Sequence, residues 1–316
     1  MTGFTHVSTP QLQLLHRGKV RDSFRVDDRR RLIVVTDRIS AFDLKIQTPI
    51  PGKGAVLNRL AAFWFAQTQD IVPNHLIATM GSHGSLVLEA IPLKVEVVVR
   101  GYMAGSMSRG YSQGLRSFSG VSVPDGLSPN GRLPTPIVTP TTKEENDREI
   151  TAADIVRDGL VDAETYAELE RVALALFARG TERLAERGLL LADTKYEFGL
   201  VDGKVVLIDE IHTPDSSRIW DRAAYAADPA GVPSLDKEYV RTYMLAERAR
   251  TGSFPLVLPP EVVAETFRRY ADLCARITGE ALAPPSDAAA DLRAALIDAG
   301  LLPPGATLTG DEGVGA

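Results

Sequence analysis

Between Asp193 and Glu210 the chain reads DTKYEFGLVDGKVVLIDE. Two apolar runs flank a Val-Asp-Gly turn, yet they carry Asp193, Lys195, Glu197, Asp209 and Glu210. A hairpin that only had to fold would alternate Val and Ile with Thr or Ser. Side chains on a strand alternate faces, so Asp193, Lys195 and Glu197 share one. Where Asp209 falls depends on the turn. A two-residue Asp202-Gly203 loop sets Glu197 opposite Ile208 and sends Glu197 and Asp209 to opposite faces. A three-residue Val201-Asp202-Gly203 loop sets Glu197 opposite Leu207, puts Glu197 and Asp209 on one face and places Lys195 opposite Asp209. The second is the expected arrangement, a type I turn closed by a glycine bulge, which Asp-Gly followed by Lys suits. Two carboxylates and a lysine gathered on a buried face need partners. Mg²⁺, which takes one or two carboxylates plus phosphate oxygens, would supply one. The other reading is a solvated face with a cross-strand salt bridge worth roughly 0.2–1 kcal/mol. On this stretch alone both stand.

Four further clusters carry charge at places suited to binding. HRGKVRDSF sets Gly18 and Lys19 between two strands, where glycine lets backbone approach a phosphate and lysine adds charge. It is not a Walker A motif, and an ordinary hairpin explains it equally. TDRISAFD places Asp37, Arg38, Ser40 and Asp43 just past an apolar strand; Asp37 could also cap a turn. VVVRGYMAGS ends a strand on Arg100 and continues through Gly105 and Ser106. Arginine suits bidentate recognition of carboxylate or phosphate, although carbonyls can satisfy a buried one. IDEIHTPDSSRIW runs from the acidic strand into Asp215 and Arg218. The five histidines show no metal-ligand spacing, and HExxH, GxSxG and GxGxxG are all absent.

These residues sit in an ordinary globular composition: 316 residues, 44% hydrophobic and 24% charged, with a net charge of −6. That balance argues against a nucleic-acid coat or a membrane-surface binder. The single cysteine, Cys274, excludes an intrachain disulfide framework and fits a reducing cytoplasm. No apolar run approaches the ~20 residues of a membrane span, and no secretory signal is evident.

The elements that must position the charges follow from periodicity. Runs up to RLIVVTD predict a small antiparallel sheet. Lys53 to Gln69 carries apolar residues at helical spacing, and Leu93 to Tyr102 reads as a strand buried on both faces by its Val run. Ser117 to Thr142, rich in Gly, Pro, Ser and Thr, is expected to be a long connecting loop. Asp162 to Arg187 is an amphipathic helix closed by Gly188. Helices are also predicted over Lys237 to Arg250, over Glu261 to Ile277, and after Ser286 as cap; the last residues, GDEGVGA, are expected to be disordered. Strands in runs followed by helices favour α+β.

HRGKVRDSF, TDRISAFD, PLKVEVVVRGYMAGS, PIVTPTTK, ADTKYEFGL and VLIDEIHTPDSSRIW occur in this order. Together they resemble the signature segments of the phosphoribosylaminoimidazole-succinocarboxamide synthase (SAICAR synthetase) family, over roughly Leu15 to Arg250, in its longer form. The resemblance implies a ligase of purine biosynthesis that takes ATP, L-aspartate and carboxyaminoimidazole ribonucleotide. It implies a kinase-like N-terminal lobe over 1–95, an ATP-grasp-like lobe over 96–280 with ATP between them, and an extension over 281–316. It further implies that Glu197 and Asp209 hold Mg²⁺ with Lys195 nearby and that Gly18 and Lys19 cover the phosphates. Arg100, Ser106, Asp215 and Arg218 would hold the ribonucleotide, and Asp37, Arg38, Ser40, Thr141 and Lys143 would line the cleft or place aspartate. A cytoplasmic monomer without nucleic-acid or membrane partners is expected. The alternatives are another ATP-dependent ligase or small-molecule kinase on this scaffold, or a non-catalytic nucleotide-binding module.

Overall fold

A computed structural model of the chain describes residues 3–42, 44–144 and 148–312. Strands β1 (Phe4–Ser8), β2 (Gln13–Arg17), β3 (Arg21–Arg25), β4 (Arg30–Val35), β5 (Ser40–Ala41) and β6 (Leu44–Lys45) precede helix α1 (Lys53–Gln67). Strands β7 (Leu76–Met80), β8 (Gly84–Leu88) and β9 (Ile91–Tyr102) lead to α2 (Gly105–Ser112). Then come β10 (Ser117–Phe118), β11 (Val121–Ser122), β12 (Arg132–Thr142), α3 (Ala152–Arg157) and α4 (Ala163–Glu186). The chain continues through β13 (Leu189–Val201), β14 (Lys204–Ile208), β15 (Ser217–Asp221) and α5 (Arg222–Ala227). It closes with α6 (Glu238–Thr251), α7 (Pro260–Thr278), α8 (Ala288–Asp298) and β16 (Thr309–Glu312). The class is α+β, with every ladder between named strands antiparallel.

Two compact units divide these elements, Met1–Phe63 with His75–Glu89 and Lys237–Ala316, and Trp64–Asn74 with Ala90–Asp236. The first is built on a five-stranded sheet in the order β2-β3-β4-β8-β7. Phe24, Leu32, Val34 and Leu86 bury one face of it against Leu292 and Leu296 of α8. A second core joins Ile39 and Ile50 to Val240, Met244, Leu258 and Val262. Residues of α8 and β16 are therefore structural members of this unit. Asp287 rather than Ser286 caps α8, accepting from the Ala290 amide at 2.8 Å. Thr309–Glu312, expected to be disordered in part, pairs antiparallel with β1; residues 313–316 and Asp43 lie outside the described residues.

The second unit is built on the order β12-β9-β13-β14, with β15 also on β13. α4 packs on β13 and β9. Its boundaries follow the sequence: Asp162 accepts from the Thr165 amide as cap, and Gly188 follows the helix at φ 68°. The stretch read as a long loop is a correction. Its second half is the eleven-residue strand β12, whose prolines the sheet tolerates because β12 lies at an edge. β9 is buried on both faces, as expected: Val95, Val97 and Val99 lie on one, and buried Glu96 and Arg100 with half-buried Val98 on the other.

Beneath this sheet lies a buried histidine. The His212 ring shares a 2.6 Å hydrogen bond, through Nε2, with the Tyr196 hydroxyl. Trp64 meets the ring edge-on. Gly180, in the middle of α4, makes room for it: a Cβ there would lie 2.4 Å from His212 Cε1. That requirement outweighs the ~1 kcal/mol by which alanine favours a helix over glycine.

Burial pushes the His212 pKa down to about 3. The unfolded chain binds that proton near pH 6.5. Its contribution to stability is therefore intact above about pH 6.5 and falls by about 1.4 kcal/mol per pH unit as pH drops from there towards 3. His212→Asn keeps a residue that tolerates the φ of 49° found here but removes the titration. Denaturant unfolding at pH 7, 6, 5 and 4 is expected to show the acid slope flattened by that amount.

Candidate active site

The hairpin register is that of the two-residue turn. Glu197 pairs with Ile208 and Val201 with Lys204, leaving Asp202 and Gly203 as the loop at φ 51° and 77°. Two left-handed residues make a type I′ turn, which matches strand twist better than the expected bulge. Strict alternation would then separate Glu197 from Asp209. It does not hold, because β14 ends at Ile208 and Asp209 has φ 67°. The left-handed step breaks the period of two at Asp209, and the charges of Asp209 and Glu210 both favour the protonated form of Lys195.

Lys195 is the centre of the first charged row. Its Nζ donates to Glu96 Oε1 and to Glu197 Oε1, each at 2.6 Å. Burial alone would depress its pKa, but Glu96, Asp209 and Glu210 outweigh burial and raise it. Glu96 and Glu197 are direct cross-strand partners between β9 and β13, and both are buried. On the far side of β9, Thr141 faces Glu96 and its hydroxyl lies 3.4 Å from Oε2. Lys143, just past the end of β12, forms an ion pair with the second oxygen of Glu197. The loop after Asp209 is tied back, since the Thr213 hydroxyl donates to Glu210 and the Lys195 amide donates to the Ser216 carbonyl at 3.0 Å.

A second row lies two residues away along β13, about 7 Å. Asp193 pairs in register with Arg100 of β9 and Arg218 of β15. Arg218 forms an ion pair with Asp193, Arg100 Nη1 lies 3.6 Å from the same carboxylate, and Arg100 Nε donates to Thr139 Oγ1 at 2.8 Å. Burial lowers the Arg100 pKa against the pull of Asp193, and Arg218 adds to the lowering. Two guanidinium groups around one carboxylate leave positive charge for an anion. α2 begins beside them: a Cβ on Gly105 would come within 2.8 Å of the Arg218 guanidinium, and Ala104 gives the helix no side-chain cap. Ser106, in the first turn, is exposed. Asp215 sits in the β14–β15 loop, where its amide donates to Thr213 Oγ1 at 3.2 Å.

Gly18, Lys19, Asp37, Arg38 and Ser40 belong to the first unit. Gly18 opens the turn between β2 and β3, with its amide 2.7 Å from the Arg21 carbonyl, and Lys19 is exposed. Asp37 is buried and accepts from the amides of Phe4 and Gly54 at 2.9 and 2.8 Å. His83 and these amides outweigh burial and lower its pKa. Arg38 donates to backbone carbonyls and Asp22, and Ser40 is buried in a short strand pair.

Glu96 escaped the sequence reading. Its signal was a lone carboxylate inside LKVEVVVRGY, four residues before Arg100 and so on the same face. Glu210 was visible in the acidic run, but nothing in the sequence assigned it a partner.

The family model for SAICAR synthetase matches residues 14–253. A phosphoribosylaminoimidazole-succinocarboxamide synthase of Desulfosudis oleivorans is 43% identical over 291 residues, covering 87% of this chain and 98% of that one. One from Cytophaga hutchinsonii is 41% identical, covering 90% and 93%. The solved SAICAR synthase of Saccharomyces cerevisiae complexed with SAICAR superposes with a TM-score of 0.76 at 31% identity, over 87% of this chain and 97% of that one. A SAICAR synthetase in complex with ADP gives 0.68 at 26% identity, over 85% and 99%.

Removing Lys195 would leave Glu96 and Glu197 facing each other. Lys195→Met is expected to lower stability at pH 8 by about 3 kcal/mol and to regain part of it at pH 5, as a carboxylate takes up a proton. Unfolding curves of both proteins at the two pH values check this.

Proposed function

The chain belongs to the SAICAR synthetase family, and we propose that its two charged rows divide the family's reaction between them. The protein is an ATP-dependent carbon–nitrogen ligase that joins L-aspartate to carboxyaminoimidazole ribonucleotide in purine biosynthesis. The observation that carries the division of labour is that one sheet face bears the Lys195 acidic row beside the Arg100–Asp193–Arg218 row. One row suits a metal-bound polyphosphate and the other a phosphorylated, carboxylated nucleotide.

Among the described residues no group of three or more His, Cys, Asp or Glu is arranged to hold a metal alone. Mg²⁺ does not demand one, since phosphate oxygens complete its shell. The chemistry of the donors suits it: Glu96 and Glu197, both hydrogen-bonded to Lys195, offer hard carboxylate oxygens, and Asp209 and Glu210 follow on the next strand end. Glu197 and Asp209 would hold the ion, which when bound neutralises charge on the phosphates. Lys195 and Lys143, both paired with Glu197, would turn to the transferring phosphoryl group as the ion takes over that carboxylate. Gly18 and Lys19 would meet the nucleotide phosphates. Arg100, Arg218, Ser106 and Asp215 would hold the ribonucleotide. Thr141 and Lys143 would then flank its carboxylate or the incoming aspartate, and Ser40 stays a candidate for aspartate too. In this reading the first unit is the kinase-like lobe, the second resembles ATP-grasp enzymes, and the protein works as a cytoplasmic monomer.

The chemistry takes two displacements. A carboxylate oxygen of the ribonucleotide attacks the γ-phosphorus of ATP, the bond to the bridging oxygen breaks, and ADP leaves with an acyl phosphate formed. The amine of aspartate then attacks the acyl carbon, phosphate departs with the C–O bond electrons, and the amine loses a proton to give the amide. Positioning and charge neutralisation carry the first step.

Glu197→Gln and Asp209→Asn are expected to cut turnover by about a hundred- to a thousandfold while leaving the melting temperature nearly unchanged. Phosphate release, measured with each substrate omitted in turn, should require both aspartate and the ribonucleotide. Arg218→Ala should weaken ribonucleotide binding by about ten- to a hundredfold in calorimetric titration. ADP binding should hold steady; equal losses for both ligands would overturn the assignment of the arginine row.

A further inference from the structure

Arg38 spends its guanidinium on the backbone. Its Nη2 donates to the Gly18 carbonyl at 3.1 Å, its Nε to the Lys19 carbonyl at 3.3 Å, and its Nη1 to the Thr5 carbonyl. Nη2 also reaches Asp22 Oδ1 at 2.7 Å. Asp22 is fully buried and is itself fixed by the Val7 amide, which donates to Oδ2 at 3.2 Å. The main chain of Arg38 is held in turn, because the buried Lys53 ammonium donates to its carbonyl at 3.0 Å. Next to it, the Thr36 hydroxyl donates to the Val20 carbonyl at 2.8 Å. The segment after β4 thus grips three successive carbonyls, those of Gly18, Lys19 and Val20.

A trans peptide is planar, with its N–H antiparallel to the C=O before it. Drawing the Gly18 and Lys19 carbonyls to Arg38 therefore points the Lys19 and Val20 amides the other way. Successive amides aimed outward from a glycine turn make an anion-binding concavity. We propose that Arg38 is a positioning residue for the Gly18–Val20 turn, orienting its amides towards nucleotide phosphates, and not a contact for aspartate. This rests on reading that turn as the phosphate site. Lysine cannot replace arginine in the role, since one ammonium cannot span acceptors arranged as a fork.

The test compares Arg38→Met, Arg38→Lys and Lys19→Ala with the parent enzyme by steady-state kinetics, with thermal melts of each. The expected result is a KM for Mg·ATP raised on the order of tenfold in both Arg38 variants, with the KM for aspartate within about twofold of the parent. Lys19→Ala should raise the KM for Mg·ATP as well. Arg38→Lys keeps the charge beside Asp22, so it carries the comparison should Arg38→Met fold poorly. A lower melting temperature with both KM values unchanged would reduce Arg38 to a stabilising residue and overturn the proposal. A rise in the aspartate KM alone would overturn it in favour of direct contact. An unchanged Mg·ATP KM in Lys19→Ala would instead remove the phosphate-turn reading beneath it.

Discussion

One ammonium group holds the site together. Glu96 and Glu197 face each other across β9 and β13 inside the fold, a pairing of like charges that a sheet disfavours. Lys195 makes it tolerable by bonding to both at 2.6 Å. The arrangement is poised rather than settled, because each carboxylate that satisfies Lys195 is also a potential ligand for a harder cation. Under the proposed function, partners that can be exchanged on binding are what phosphoryl transfer needs of this row, whereas a well-packed apolar row would be as stable and inert.

The second row obeys the same logic with opposite sign. Asp193 sits between Arg100 and Arg218 and keeps two guanidinium groups together that would otherwise repel. Both rows depend on the straight stretch of β13 from Asp193 to Glu197, which fixes their spacing at two residues. The other face of that strand is packed, with Tyr196 and Phe198 buried and α4 against it. The site's geometry is thus set from below by an apolar layer.

Much of this was legible beforehand. The helix over 163–186 showed its apolar stripe and its closing Gly188, and Lys195 and Glu197 stood out as charges inside an apolar strand. The turn was not legible, because Val-Asp-Gly-Lys suits a two-residue I′ loop and a three-residue bulged loop alike. Nor was the backbone step at Asp209, because no side-chain pattern announces a left-handed residue. The prolines of β12 misled for a related reason, since a residue's fitness for a strand depends on whether the strand is central or at an edge. Arg38 stood out in the sequence only as a charge past a strand; that its guanidinium reaches backbone carbonyls and Asp22 is a matter of tertiary structure that no residue pattern announces.

The pairing of Phe4–Ser8 with Thr309–Glu312 bears on how the chain assembles as it is made. Every residue of the second unit has been joined to the chain before Lys237 is added, whereas the first unit must wait for its α6, α7 and α8 partners and for Thr309–Glu312. The sheet with the charged face can therefore mature during translation. The strands that carry Leu32, Val34 and Leu86 stay open to chaperones and to aggregation until α8 has been made and has emerged.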